Sequence, residues 1–132
     1  MDDLLVERVL TAVDQVPAGR VVSYGDLAEL VGTGPRQVGS IMRHHGAAVT
    51  WWRVTNAYGD LPAHLRDEAF ARWAEEGIVV KPNGLGCRIT EHRCDLPQLL
   101  GDYERAVGLT AVPDGPTADT PRRSRPRPSS PG

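Results

Sequence analysis

Lysine is almost missing from this chain. Of its 15 basic side chains, Lys81 is the only lysine and the rest are arginine. Phenylalanine occurs once and cysteine twice, as Cys87 and Cys94. Two cysteines are too few for a disulfide framework, and their spacing matches no zinc signature. The plain reading is two unpaired thiols in a reducing compartment, with no metal or other cofactor implied. No run approaches the ~18 apolar residues that a membrane span needs, and no early apolar stretch looks like a signal peptide. Net charge is only −2 over 132 residues, so any contact with a polyanion must rest on local charge. Together these absences point away from secreted, membrane and metal-centred classes and toward a soluble cytosolic protein.

What is present is an ordinary globular balance, with 40% hydrophobic and 24% charged residues. That length suggests one domain with a modest core. Residues 2 to 16 place Leu5, Val9, Ala12, Val13 and Val16 at helical spacing. Asp2 and Asp3 suit the positive end of that helix dipole, and Pro17-Ala18-Gly19 stops it. "RVVSYGDLAELVG" reads as a brief extended piece and then a helix. Ser23 is the expected N-cap, Asp26 its capping-box partner, and Gly32 the stop. Thr33 or Gly34 caps the next helix, Pro35 fits its first turn, and it runs to Gly46. A tight turn between two short helices makes a helix-turn-helix candidate.

Further along, "VTWWRVTN" reads as a strand and "AYGDLP" as turn chemistry. Residues 63 to 76 read as a helix stopped by Gly77. "IVVKPNGLGCRIT" reads as a hairpin about Asn83-Gly84, a candidate wing. Residues 95 to 108 add a short helix. The fold expectation is mainly α with a small β component, a winged helix-turn-helix-like DNA-binding domain over residues 1–110. From 111 to 132 the chain is rich in Pro and Arg without an apolar period, and is expected to be a disordered tail.

The candidate site lies between Arg20 and Arg53. Arg20, Arg36, Arg43 and Arg53 face only Asp26 and Glu29 in sequence, which makes one locally basic region. Arg36 falls in the first turn of the second helix of the pair, where a long side chain reaches toward a duplex. A surface salt bridge is the alternative. Trp51 and Trp52 stand side by side, although the chain has only 3 tryptophans. In a strand, neighbours point to opposite faces. One indole would then be core and the other a stacking platform beside Arg53, unless both pack against neighbouring elements.

"VPAGRVVSYGDLAELVGTGPRQVGSIMR" followed by "TWWRV" resembles the C-terminal DNA-binding domain of O6-alkylguanine-DNA alkyltransferases. The matching residues are Pro17, Gly19, Val21, Ser23, Tyr24 and Gly25, then Arg36, Val38 and Gly39, then Thr50 to Val54. The resemblance spans roughly residues 2 to 92. It departs at the reactive strand: Trp51 stands at the alkyl-accepting cysteine, Trp52 at the histidine, Thr50 at the proline. Indole nitrogen is a donor without a usable lone pair, so alkyl transfer at position 51 is excluded and no enzyme is expected. The pattern is that of the alkyltransferase-like members. The resemblance implies binding of double-stranded DNA containing O6-alkylguanine, base flipping into a pocket, and recruitment of nucleotide-excision repair proteins. It implies a monomer working at the nucleoid, with the recognition helix in the minor groove.

By the same resemblance, the DNA-binding residues are Tyr24, Arg36, Gly39 and Arg53. Arg36 plugs the stack and Tyr24 crowds the 3′ phosphate, while Arg53 has a phosphate or structural role. The lesion pocket is Tyr24, Trp51, Trp52 and Tyr58. Glu76 matches the glutamate that anchors the family's histidine, a role left open by Trp52. The hinge asparagine has no clear counterpart, and His44 or His45 falls in that gap. Two other classes compete: a winged helix-turn-helix transcriptional regulator, and an enzyme passing alkyl groups to Cys87 or Cys94.

Overall fold

A computed structural model describes residues 3–108. The tail expected from residue 111 lies outside them. The chain divides into two units after Leu100, so the fold below is that of residues 3–100.

Helix α1 (Asp3–Asp14) buries Val9, Ala12 and Val13, three of the positions its period picks out. Strand β1 (Val22–Ser23) leads directly into α2 (Tyr24–Val31). The expected capping box is present: Ser23 Oγ accepts from Asp26 N–H, and the Asp26 carboxylate accepts from Ser23 N–H, both at 3.0 Å. Gly32 closes α2 at φ +81°, a left-handed conformation in which a Cβ would be strained. Helix α3 (Pro35–His45) starts with Gly34 as N-cap and Pro35 in its first turn. Helices α1, α2 and α3 pack on one another, and Leu27, Val38 and Ile41 are fully buried among the core residues. Each such side chain contributes roughly 1.5–3 kcal/mol, enough to hold the helix pair in one arrangement.

The expected strand at 49–56 is mostly absent. The chain instead runs through a 3-10 turn (Trp51–Arg53) into a short strand, β2 (Val54–Thr55). β2 pairs in parallel with β1, Val22 opposite Val54 and Ser23 opposite Thr55. Two parallel two-residue strands therefore tie the start of α2 to the tryptophan segment.

Residues 63 to 76 are helical as expected, divided into a 3-10 turn (Ala63–Leu65) and α4 (Arg66–Glu76), with Gly77 left-handed at φ +82°. Trp73 of α4 is fully buried in a cluster with Val21, Leu61, Ala69, Ile78, Cys87 and Ile89. The expected hairpin is reduced to a turn with one antiparallel bridge, Val80–Cys87. Its second arm is engaged elsewhere. Leu61 N–H donates to Leu85 O, and Cys87 N–H to Gly59 O. The two segments approach so closely that a Cβ on Gly59 would lie 2.1 Å from Cys87 O. Short helix α5 (Ile89–His92) follows, then α6 (Leu96–Val107), which contains the division after Leu100.

Candidate nucleic-acid interface

The turn that carries the tryptophans is specified locally and then locked from a distance. Thr50 has φ −75° and ψ 62°, and Trp51 N–H donates to Val49 O at 2.8 Å. That is an inverse γ-turn. Arg53 N–H then donates to Thr50 O, closing the 3-10 turn. Three residues per turn set neighbouring side chains about 120° apart rather than the 180° of a strand. Trp51 and Trp52 therefore meet edge to face, with centroids 5.8 Å apart and planes at 86°. Both are half-buried and both pack on the Trp73 cluster. The alternative in which both indoles pack against neighbouring elements is the one adopted.

Trp51 faces a cavity of about 550 Å³, within the ~300–1,000 Å³ common for small-molecule sites. Tyr24 comes from the first residue of α2. Gly39, Met42 and Arg43 come from the later turns of α3, followed by Gly46 and Ala47. Val54 follows the turn, and Leu61, Pro62, His64, Leu65 and Glu68 form the far side. Apolar walls thus carry a few polar groups: the Tyr24 hydroxyl, Arg43, His64 and Glu68. Burial pushes the Tyr24 phenol up, and the Arg43 guanidinium works against that shift. Tyr24 consequently stays protonated, both donor and acceptor, at physiological pH.

Behind this wall lies a polar network around one carboxylate. Glu76 accepts from Gly19 N–H at 3.0 Å, from Trp52 Nε1–H at 2.9 Å, and from Arg53 Nε–H and Nη2–H at 3.0 and 2.6 Å. Arg53 Nη1–H donates to Val16 O at 3.0 Å. Burial acts to raise the Glu76 pKa, but the hydrogen bonds from Arg53, Gly19 and Trp52 outweigh it. The carboxyl is held below the ordinary glutamate range.

These positions divide the expected residues. Tyr24, Gly39 and Trp51 share the cavity. Arg36 is exposed in the first turn of α3. Arg53 turns inward, with its side chain only 14% exposed and its donors engaged by Glu76 and Val16, the arrangement that a structural role requires. Trp52 is not among the cavity-lining residues, because its N–H is drawn back to Glu76. Tyr58 is also outside it, 75% exposed. Its loop is held by Asn56 Oδ1, which accepts from Tyr58 N–H and Asp60 N–H, and by Lys81. That single lysine donates to Tyr58 O and pairs with Asp60 at 2.6 Å. Sequence reasoning missed Met42, His64, Leu65 and Glu68 in the cavity. Met42 read as part of the apolar stripe of α3. The spacing from Trp51 to Leu65 carried no signal that the intervening loop folds back.

Comparison with known proteins adds a match of residues 5–77 to the family described as 6-O-methylguanine DNA methyltransferase, DNA binding domain. The chain belongs to this family. Its relatives include the DNA base-flipping protein of Escherichia coli, 34% identical over 63% of this chain and 69% of that protein. Alkyltransferase-like protein 1 of Schizosaccharomyces pombe is 34% identical over 74% of this chain and 94% of that protein. A crystal structure of S. pombe Atl1 with damaged DNA containing O6-carboxymethylguanine superposes with a TM-score of 0.57 at 30% identity. It covers 75% of this chain and 95% of that one. The family's helix-turn-helix-type fold is thus present, built on α2 and α3.

Proposed function

We propose that this protein recognises O6-alkylguanine in double-stranded DNA without repairing it, and hands the lesion to nucleotide-excision repair. The observation that carries the reading is Trp51 on the wall of a largely apolar cavity beside the recognition helix. An apolar wall favours an alkyl group over the bare oxygen of guanine. Flipping a base out costs a few kcal/mol. Arg36, exposed at the start of α3, fills the stack where the base left. Tyr24 crowds the neighbouring phosphate and turns the nucleotide toward Trp51. Gly39 keeps the helix surface low where the strand passes. Arg53 supports the wall from behind.

The chemistry of the side chains supports the non-enzymatic part. Alkyl transfer needs a thiolate. Among the described residues, none of those lining the cavity is a cysteine. Cys87 and Cys94 are buried elsewhere, and burial pushes both thiols up to about 11. At pH 7 they are protonated and poor nucleophiles. A monomer fits this reading, since one flipped base needs one pocket.

Trp51→Ala tests the pocket. It is expected to reduce the preference for O6-methylguanine duplex more than it reduces affinity for undamaged duplex. An equal loss on both would show that Trp51 is not the lesion wall.

A further inference from the structure

Trp52 lies behind the cavity, and its ring is held on several sides. Its Nε1–H donates to Glu76 Oε2 at 2.9 Å. Its carbonyl accepts from Trp73 Nε1–H at 2.6 Å, which pins the backbone to the buried face of α4. The Arg72 guanidinium lies 4.7 Å from the ring centroid, and that of Arg53 lies 5.6 Å away. The acceptor is itself fixed, because Gly19 and Arg53 occupy the rest of the Glu76 carboxylate. Turning the Trp52 ring would break a hydrogen bond to a charged group and unstack a cation.

Trp51 differs. Its indole N–H has no hydrogen-bond partner among the described residues, so packing alone orients the ring. Its contacts are the core cluster and the edge-to-face contact with Trp52. A rotated Trp51 would change the cavity wall directly.

We infer that Trp52 is the positioning residue for Trp51, and that it sets the discrimination of a cavity it does not line. Its donor to Glu76 fixes the plane against which Trp51 rests. The wall is then ordered before ligand arrives, and binding does not have to order it. This inference rests on the proposed lesion pocket for its functional consequence, but the positioning itself is a property of the free protein.

The test uses the full chain with Trp52→Phe and Trp52→His. Phenylalanine keeps an apolar ring and removes the donor. Histidine is smaller but keeps a ring N–H that can reach Glu76. The first readout is the Trp51 indole N–H resonance in a ¹H–¹⁵N spectrum without DNA. The second is the ratio of affinities for a duplex with one O6-methylguanine and the same duplex undamaged, at fixed salt. Trp52→Phe is expected to shift and broaden the Trp51 resonance and lower the ratio about tenfold, the scale of one hydrogen bond to a charged group. Affinity for undamaged duplex should stay as it was. Trp52→His should recover most of both signals. Arg72→Gln, on the exposed side of the ring, should move the same resonance and lower the ratio about twofold, which keeps the test available if Trp52→Phe does not fold. An unmoved Trp51 resonance in Trp52→Phe, or in Arg72→Gln if only that variant folds, would overturn the inference. So would a histidine variant no better than phenylalanine. A wild-type protein without lesion preference would defeat the proposed function, while the Trp51 resonance would still decide the positioning.

Discussion

Glu76→Gln should destabilise the protein by about 3 kcal/mol at pH 7. The carboxylate and its Arg53 partner are 12% and 14% exposed. Removing one member of such a pair leaves the other charge largely buried and uncompensated, which costs ~3–5 kcal/mol. Residual water contact favours the lower end of that range. Glutamine retains one acceptor oxygen, yet three residues donate to the native carboxylate. Its amide N–H groups would also point at the donors of Arg53. In urea, with a slope of ~1–3 kcal/mol per molar, the midpoint should fall by about 1–3 M with the slope unchanged.

The effect of pH has a fixed direction. The folded-state pKa of Glu76 is depressed. Its charge therefore contributes fully above the unfolded glutamate value, about 4.3. That contribution disappears as pH falls through the lower folded value. The gap between wild type and Glu76→Gln should be constant from neutral pH to about pH 5 and narrow below about pH 4. A gap under about 0.5 kcal/mol at pH 7, the scale of an exposed pair, would refute the reasoning. So would one that widens on acidification.

Cys87 and Cys94, with thiols near 11, should react with a disulfide reagent at pH 8 only at the rate of unfolding; fast labelling of the native protein would contradict their burial. Arg36→Ala should weaken lesion binding by up to a few kcal/mol through loss of the stack-filling side chain, while leaving the urea midpoint where it was. An unchanged lesion affinity in titration would remove Arg36 from the interface.

The helix boundaries were legible because their causes are local. Ser23 and Asp26 cap each other across one turn, Pro35 suits the start of α3, and Gly32 and Gly77 take left-handed conformations. The segment around Trp51 was not legible, because β-forming residues are held in a 3-10 turn by partners far away in sequence. Arg53 is tied to Glu76 and to Val16, and Trp52 to Glu76 and Trp73. The hairpin failed for a similar reason. Its Asn83-Gly84 turn forms, but Leu85 and Cys87 hydrogen-bond to Leu61 and Gly59.

Within the site, Tyr24 and Trp51 were found by motif and lie on the same cavity. Trp52 was placed in the lesion pocket, and Arg53 in a phosphate or structural role, by the family resemblance. The buried carboxylate that attracts them sits 23 or more residues away in sequence. Tyr58 followed the turn chemistry correctly, but the turn presents it to solvent. His64, Leu65 and Glu68 carry no pattern that marks a pocket, since only the fold of the loop brings them opposite α3.

The central claim is tested most directly by fluorescence-anisotropy titration of one short duplex, with and without a single O6-methylguanine, at one stated salt concentration. The recovered DNA is then assayed for the methyl group. Tighter binding to the modified duplex, with the methyl group still on guanine, is the predicted result. Equal affinity for the two duplexes, or a methyl group moved to the protein, would contradict it.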